Sequence, residues 1–460
     1  MRFNEQRLED LCELVIDCPH STPKWTDNGF IVLRNQNIRN GVLDLSAPSF
    51  TDEDGYKSRI KRAKPRVNDI VFTREAPMGE VCLIPEGIDC CLGQRQVLLR
   101  ANNEIDPYYL FWALQSPYVQ HQISWNEGTG TTVSNVRIPV LKDLKIPRLG
   151  GHESWIAKTM TSLALKSQIN GKINQTLEQM AQALFKSWFV DFEPVKAKIT
   201  VLEAGGSQED AMLAAMTAIS GKDADALAVF ERENPEQYAE LKATAELFPS
   251  AMQESELGEI PEGWRHGPLS NIATFANGKV DVCSLTPETY ISTENMLENR
   301  AGISTASSLP SVNSVPEFRC GHVLISNIRP YFKKIWLARF KGGRSADVLA
   351  FEALGSVTVE YVYNLLYQET FFNFMMLTSK GVKMPRGDKK AIMGWQCVHP
   401  DKKISNAFSK AVGEYYSFIE INNAQNKTLS QLRDTLLPKL LSGEITLPEA
   451  ELAVSEAENV

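Results

Sequence analysis

The chain has 460 residues, more than one ordinary domain usually holds, so two or three domains are expected. The net charge of −8 excludes a protein that is basic throughout, and no apolar run is long enough to span a membrane. The eight cysteines form no C-x-x-C pair and no zinc-like cluster, and the N-terminus MRFNEQRLEDL lacks a signal peptide's apolar stretch. We expect a cytoplasmic protein with reduced cysteines and no metal site.

Residues 1–150 predict a first globular unit. DIVFTREAPMGEVCLIP, from Asp69, has the pattern of a strand hairpin that turns at residues 77–79, and DPYYLFWALQS, from Asp106, that of a short helix. A dense basic run is formed by Lys57, Arg59, Lys61, Arg62, Lys64 and Arg66. The unit has a net charge of −1, but a local run of this kind sets the field that a phosphate meets.

Residues 151–199 predict a long amphipathic helix. Its apolar seam recurs at three- and four-residue steps through Ile156, Met160, Leu163, Leu177, Met180, Leu184 and Trp188. Asn170 and Asn174 fall in the same seam, where a buried asparagine fixes register and partner at a cost in stability. Alternatively, these asparagines face solvent at a bend.

Residues 200–262 hold fourteen acidic and three basic side chains and predict two or three short helices. They form either a solvated acidic connector or a docking surface for a partner. Residues 263–403 hold seventeen basic and eleven acidic side chains and predict a second globular unit. In that unit HVLISNIRPYFKKIWLARF predicts a second hairpin and TVEYVYNLLYQ a second short helix.

Residues 404–445 predict a second long helix, and 446–460 an acidic tail. INNAQNKTLSQLRDTLLPKLL, from Ile421, matches INGKINQTLEQMAQALFKSWF, from Ile169, at seven of 21 ungapped positions. The offset is 252 residues, and the two hairpins start 253 residues apart. Two matching helices with globular units at alternate ends should pair antiparallel with approximate two-fold symmetry, which favours a bipartite target.

The sequence carries no recognisable catalytic constellation. It has no G-x-x-x-x-G-K-[ST] phosphate loop, no glycine-rich methyl-donor loop and no Asn/Asp-Pro-Pro-aromatic tetrapeptide. Three acidic-x-Lys triplets resemble metal-dependent nuclease motifs, at 388–390, 401–403 and 240–242, but none has a convincing upstream acidic partner. We therefore expect no catalytic residue in this chain.

The remaining chemistry suits nucleic-acid recognition, because Arg, Asn and Gln on loops can read base edges while Lys and Arg hold phosphates. In the first half the candidate DNA-binding residues are Arg34, Asn35, Asn37, Lys57, Arg59, Lys61, Arg62, Lys64, Arg74, Arg95 and Thr131. In the second half they are Asn295, Asn327, Arg329, Lys333, Lys334, Lys383, Arg386, Lys389 and Lys390. For any single residue of these two sets, a solvated loop is the alternative.

The chain resembles type I restriction-modification specificity subunits along nearly its full length. The stretches that carry the resemblance are LRNQNIRNGVLD (33–44), SELGEIPEGW (255–264), TSKGVKMPRGDKKAIMGW (378–395) and LSQLRDTLLPKLLSGEI (429–445). One departure is visible, because IPRLGGHESWIA replaces the proline-rich entry to the first helix that the family often has. The exact start of that helix is therefore left open.

The resemblance implies an α+β protein with two mixed α/β target-recognition domains, separated by two long antiparallel helices that form a coiled-coil-like pair with a pseudo-two-fold repeat. Each domain would read half of a split site in double-stranded DNA. Two methyltransferase subunits would dock on the helices and bring S-adenosylmethionine for adenine N6 methylation. Restriction subunits that use ATP and Mg would join the full complex, and no cofactor would be bound by this chain.

Two rival functions remain, a stand-alone two-domain DNA-binding regulator and a scaffold whose globular units bind proteins. The number of aromatic residues on the first long helix distinguishes a protein that docks partner subunits from one that needs none. Its aromatic residues are too many for one seam and favour docked subunits: Trp155, Phe185, Trp188, Phe189 and Phe192. Alternatively, this cluster packs on the neighbouring domain.

Overall fold

The computed structural model describes residues 4–125, 135–381, 383–442 and 444–458. The chain forms two compact units, one of Met1–Gly171 with Asn422–Val460 and the other of Lys172–Ile421. Both boundaries fall inside long helices, so each long helix contributes to both units.

The first unit contains the first globular domain. Its strands are β1 (Asn4–Arg7), β2 (Cys12–Asp17), β3 (Trp25–Thr26), β4 (Phe30–Leu33), β5 (Ile38–Arg39), β6 (Val42–Leu43), β7 (Ser49–Thr51), β8 (Ile70–Thr73), β9 (Val81–Leu83), β10 (Cys90–Leu92), β11 (Gln96–Ala101) and β12 (Lys145–Arg148). Its short helices are α1 (Glu53–Arg59), α2 (Pro107–Gln115), α3 (Pro117–Trp125) and α4 (Ile138–Asp143).

The main sheet of this domain has the order β2-β11-β8-β9, and all its pairs are antiparallel. The predicted hairpin is confirmed as β8 and β9, and the predicted short helix as α2. Asp106 caps α2 by accepting from the backbone N–H groups of Tyr108 and Tyr109. Helix α2 buries Tyr109 and Trp112 in one core with Phe72 of the sheet.

The first long helix, α5 (Glu153–Phe189), passes into the second unit and is followed by α6 (Glu193–Glu203), α7 (Gln208–Ser220), α8 (Ala224–Glu233) and α9 (Pro235–Glu246). The strands of the second unit are β13 (Met252–Ser255), β14 (Gly258–Pro261), β15 (Arg265–Pro268), β16 (Ala273–Phe275), β17 (Lys279–Asp281), β18 (Tyr290–Ile291), β19 (Ser314–Phe318), β20 (Val323–Ser326), β21 (Ile335–Leu337), β22 (Gly342–Arg344), β23 (Val348–Ala353) and β24 (Gln396–His399). The remaining helices are α10 (Val359–Tyr367), α11 (Glu369–Leu377), α12 (Lys389–Met393), the long helix α13 (Lys402–Ser442) and α14 (Leu447–Glu458).

The second domain repeats the main sheet of the first. Its order β16-β23-β20-β21 matches β2-β11-β8-β9 strand for strand, and its hairpin β20–β21 and helix α10 are the predicted ones. Its smaller sheet differs. In the first domain β7 pairs with β4, whereas in the second domain β19 pairs with β22, the counterpart of β10. The main sheet is therefore repeated in the two domains, whereas the smaller sheet has different strand pairing.

The two long helices run antiparallel, as predicted. In the first unit, the Asn170 side chain donates to Gln425 Oε1 at 2.8 Å and to Asn426 Oδ1 at 3.0 Å. In the second unit, the rings of Phe185 and Trp188 lie 5.7 and 6.0 Å from that of Phe408. Higher residue numbers on α5 thus meet lower numbers on α13. The buried Asn170 faces its partner helix, so the prediction of asparagines in the seam is confirmed at this position.

The helix boundaries differ from the predicted ones. Helix α5 ends at Phe189 and not at 199, because Phe192 takes a left-handed conformation and Pro194 then opens α6. Met180 is 45% exposed and is not a seam residue, since Ala181 and Phe185 are the side chains buried at that level. The acidic tail is largely the helix α14, whose Ala450 is fully buried in the core of the first unit.

Candidate nucleic-acid interface

In the first domain, the loops after β4, β8 and β10 lie side by side. The backbone N–H of Gly93 donates to Leu33 O at 2.8 Å, and that of Arg74 donates to Arg95 O at 2.8 Å. The Asn35 side chain donates to the backbone carbonyl of Glu75. The predicted recognition residues of three separate segments are thereby brought to one end of the domain.

The second domain has the same arrangement. A fourth segment joins the loops in both domains, since Val136 N donates to Arg74 O at 3.1 Å and Gly387 N donates to Asn327 O at 3.2 Å. Asn327 N donates to Asp347 O at 2.8 Å, Ser345 N donates to Ile291 O at 2.8 Å, and Arg329 N donates to Pro385 O at 2.8 Å. The last contact places the segment 378–388 beside the loop that follows β20. Its counterpart in the first domain includes Thr131, which lies outside the described residues.

Asn37 and Asn295 hold the loops together and do not read bases. Each is buried, and each accepts from the backbone N–H three residues earlier through Oδ1, at 2.9 and 2.6 Å. Each amide also donates to a backbone carbonyl across the loop, that of Asp44 or Ser304. These contacts use both ends of the amide, so the prediction of DNA contact is corrected at both positions.

The basic side chains of the run at 57–66 differ in how deeply they are buried and in which groups they contact. Arg59 is 6% exposed, and its guanidinium donates to four backbone carbonyls, those of Pro19, Ser21, Leu92 and Gly93, at 2.7–3.1 Å. A side chain that is enclosed in this way cannot reach a phosphate. Arg59 therefore positions the loops at 19–21 and 92–95, and the prediction of DNA contact is wrong for it.

Two lysines of the run are paired, and three of its other basic side chains are exposed. Lys57 pairs with Glu53 at 2.6 Å and Lys64 with Asp89 at 2.7 Å, and these hydrogen bonds raise the pKa of both ammonium groups. Both side chains remain more than half exposed. Lys61, Arg62 and Arg66 are exposed, and Arg62 donates only to the carbonyl of Asp17, at 3.3 Å. These three remain the strongest candidates for phosphate contact.

Arg74 is held inside the first domain. Its Nη1 donates to both carboxylate oxygens of Asp17, at 3.0 and 3.1 Å, and its Nε donates to Val136 O at 2.9 Å. Only 14% of its side chain is exposed. The prediction that Arg74 reads a base is corrected, because its guanidinium is already engaged by Asp17 and by the carbonyl of Val136.

Arg34, Asn35 and Arg95 remain at the surface of the first domain. Two hollows of about 390 and 350 Å³ meet there, and Trp25 and Arg34 line both. Arg95 pairs with Glu75 at 3.1 Å and stays 56% exposed. Trp25 was not among the residues predicted from the sequence, although a lone tryptophan in the polar segment STPKWTDNGF is a usable signal.

In the second domain the exposed cations come from different loops. Arg329 is exposed and left-handed (φ 52°), at the place that Ala76 (φ 42°) takes in the first domain, and each precedes a proline. Arg386 is 55% exposed and pairs with Asp347 at 3.3 Å. Lys383, Lys389 and Lys390 are exposed as well. Their exposure leaves these side chains free to contact DNA, which stays a prediction.

Asn327, Lys333 and Lys334 are less accessible than predicted. Asn327 is 6% exposed, which is too buried for direct base reading. Lys333 pairs with Glu369 at 2.8 Å, and Lys334 donates to the carbonyl of Thr293 at 2.9 Å. The hydrogen bond from Lys333 is the main cause that lowers the pKa of Glu369. These residues connect the loops that carry Arg329.

The predicted partner-binding aromatic residues are corrected by the structure. Phe185, Trp188, Phe189 and Phe192 are at most 7% exposed and form the core of the second unit with Tyr361 and Phe408. Trp155 is half-buried against the core of the first unit. The cluster packs on the neighbouring domain, as the alternative stated. The exposed apolar residues of α5 are instead Leu165, Ile169, Ile173 and Met180, at 44–52% exposure.

Other site types gain no support. Asp388, the first residue of a nuclease-like triplet, caps α12 and pairs with Lys380 at 2.5 Å, which lowers the pKa of its carboxyl. Within the described ranges, no group of three or more His, Cys, Asp or Glu side chains is placed to hold a metal ion. Over the same residues, no helix has both the length and the apolar character that a membrane span needs.

A family model described as the type I restriction modification DNA specificity domain matches residues 2–179. The type I restriction enzyme HindI specificity subunit of Haemophilus influenzae is 31% identical over 314 residues, which is 63% of this chain and 66% of that protein. The chain belongs to the type I restriction-modification specificity subunits. The resemblance seen in the sequence is thereby confirmed.

Other comparisons extend along the whole specificity subunit. The MjaIX specificity subunit of Methanocaldococcus jannaschii is 23% identical over 442 residues, which cover 94% of this chain and 88% of that protein. The crystal structure of the type I S subunit from M. genitalium has a TM-score of 0.50 and 15% identity, with 96% of each chain covered. That likeness concerns the fold. The family model is described as a DNA specificity domain, and these relatives are named as specificity subunits.

Proposed function

We propose that this specificity subunit reads an asymmetric, bipartite site in double-stranded DNA, with one recognition domain on each part. The observation that carries the proposal is the repeated main sheet with unlike loops at the same end of each domain. Repetition of the framework favours two similar docking geometries. Difference in the loops favours two different base sequences.

The loop chemistry supports this asymmetry. The position of Arg34 in the first domain is held by Ser292 in the second, and that of Gln36 by Glu294. The position of Arg95 is held by Asp347. Arg pairs with guanine in the major groove, whereas Asp and Glu accept from cytosine N4. Two palindromic half-sites would require matching side chains at these places.

The test is selection of bound duplexes from a randomised DNA library by the purified full chain. We expect two conserved blocks that differ in sequence and are separated by an unread spacer. The double variant Lys61→Ala, Arg66→Ala should weaken binding to every sequence and reduce the slope of log affinity against log salt by about two. A palindromic motif, or a change of base preference in the lysine-arginine variant, would contradict the assignment.

We further propose that modification (methyltransferase) subunits dock on the long helices. The support is the stripe of Leu165, Ile169, Ile173 and Met180, whose spacing of four, four and seven residues keeps them on one face of α5. On α13, Phe418 and Ile421 are 56% and 60% exposed. S-adenosylmethionine, and the ATP and Mg of restriction subunits, would then be bound by the partners.

Docking is tested by co-purification of the full chain with its modification subunit. The variant Ile169→Glu, Ile173→Glu should abolish the complex while the chain stays folded, because it places two charges in an apolar contact. The matched control is Gln175→Glu, an exposed position on another face of the same helix. A stripe variant that still forms the complex would refute docking at this face, and a wild-type chain that forms no complex with its modification subunit would favour the stand-alone regulator.

A further inference from the structure

The hollow beside Trp25 in the first recognition domain is lined mainly by polar side chains. Trp25 lies on β3 and is 46% exposed. The smaller hollow, of about 350 Å³, also carries Arg34, Asn35, Gln36, Gln94 and Arg95. A single exposed aromatic residue is ordinary on a protein surface. It is unusual, however, for guanidinium and amide groups to gather around an exposed tryptophan at the loop end of a recognition domain.

Arg34 is held over this tryptophan. Its Cζ lies 5.4 Å from the centroid of the Trp25 ring, within the range of a cation–π contact. Its backbone is also fixed, because Arg34 N donates to the buried Asn37 Oδ1 at 2.9 Å. The guanidinium is therefore restrained at both ends of the side chain, which lowers the entropy that a ligand contact would cost.

The polar groups around Arg34 are not fully satisfied within the chain. Arg95 pairs with Glu75, but no carboxylate of the described residues pairs with Arg34. Asn35 donates to the carbonyl of Glu75, while its Oδ1 has no hydrogen-bond partner in the described part of the chain. Buried acceptors of this kind are uncommon in folded proteins. They favour a surface that is completed by a polar ligand.

We propose that Trp25 is a specificity-determining residue, which supports the Arg34 guanidinium so that its two parallel N–H groups read one guanine of the first half-site. The inference rests on the proposed function, DNA reading by this domain. A planar guanidinium that lies on an aromatic face presents its N–H edge in one plane, and guanine offers O6 and N7 in one plane. Trp25 acts through Arg34 and is a positioning residue.

A mobile phosphate-binding arginine would behave differently. Phosphate contact depends on charge, so lysine can replace arginine there with a modest loss of affinity on all sequences. Guanine reading depends on the two-pronged geometry, so lysine would lose preference at one base position. A change in base preference, and not a change in affinity, therefore distinguishes guanine reading by Arg34 from phosphate contact.

The experiment is selection from a randomised duplex library with the purified full chain and the variants Arg34→Lys, Trp25→Ala and Trp25→Phe. We expect wild type to prefer guanine at one position of the first half-site. Arg34→Lys and Trp25→Ala should reduce that preference by about 5- to 100-fold, and Trp25→Phe should restore most of it. The second half-site should be unchanged in every variant, which serves as an internal control.

Arg39→Lys is the matched control, since Arg39 is exposed on the adjacent β5 and should leave all preferences as in wild type. If Arg34→Lys and Trp25→Ala keep the guanine preference and only weaken binding uniformly, Arg34 holds a phosphate and the inference is wrong while the bipartite function stands. If wild type selects no sequence at all, the proposed function and this inference both fail. Thermal melting of each variant excludes loss of fold as the cause, and Arg34→Lys alters only an exposed side chain.

Discussion

The basic side chains between Lys57 and Arg66 differ in burial and therefore in function. Arg59 donates to four backbone carbonyls inside the first domain, whereas Lys61 is exposed. The second domain uses a residue of a strand and not of a helix, because the buried Arg344 of β22 donates to the carbonyls of Val348 and Ala276. In each domain a buried cation holds the backbone next to the recognition loops.

At this scale we predict that Arg59→Ala destabilises the chain by at least about 3 kcal/mol, because four carbonyls, two of them in buried hydrogen bonds, lose a charged donor. Lys61→Ala should change stability by less than about 0.5 kcal/mol, as exposed sites usually do. Urea unfolding midpoints measure both. Equal effects of the two substitutions would contradict the division of the basic run into an interior and an exposed part.

At the scale of elements, the contact between α5 and α13 in the first unit includes hydrogen-bonded amides. Asn170 donates to Gln425 and Asn426, and 6% of its surface is exposed. We expect Asn170→Leu alone to destabilise the chain by about 1–3 kcal/mol, because it leaves amide partners unpaired. Asn170→Leu with Asn426→Leu should recover part of that loss, since an apolar side chain then replaces one of the two amides left unpaired. Thermal unfolding of the four-member mutant cycle measures the coupling.

A second element contact predicts a pH dependence. Burial raises the pKa of Glu178 on α5 from its ordinary 4.5 to about 7, against opposing hydrogen bonds from Tyr363 and Gln182. The folded state therefore holds this proton more tightly than the unfolded chain. The contribution of Glu178 to stability is present below about pH 4.5 and is lost as the pH rises to about 7, by at most about 3 kcal/mol.

Glu178→Gln should accordingly raise the unfolding free energy at pH 8 and have little effect at pH 5, since glutamine mimics the protonated acid. Glu414→Gln, at an exposed position of α13, is the control and should show no such difference between the two pH values. Chemical unfolding at pH 5, 6.5 and 8 separates the two variants. A constant offset of Glu178→Gln at all three values would mean that its carboxyl does not titrate in this window.

At the scale of the whole molecule, each long helix runs from one unit into the other, with 37 residues in α5 and 41 in α13. We predict that one heptad inserted after Gly171 and one after Ala424 keeps the helix pair in register. The insertions add about 10 Å to both helices, which equals about three base pairs. The selected DNA site should keep both half-sites and change its spacer by a few base pairs.

A heptad in only one helix should abolish site-specific binding, because the antiparallel contacts at Asn170 and at Phe408 can no longer form together. Selection from a library with variable spacers decides the outcome. An unchanged spacer in the double insertion would show that the helices do not set the distance between half-sites.

The sequence by itself determined the repeat, the two hairpins, the long helices and the family. These features follow from local periodicity and from matched spacing, both of which can be read from the linear sequence. Only the tertiary structure decided which polar residues are available. Asn37, Arg59 and Arg74 resemble surface recognition residues in sequence, but distant backbone carbonyls and Asp17 enclose them. Phe185 and Trp188 resemble a docking surface until Tyr361 and Phe408 cover them. Burial depends on contacts between segments far apart in the chain, and the pattern along one segment does not contain them.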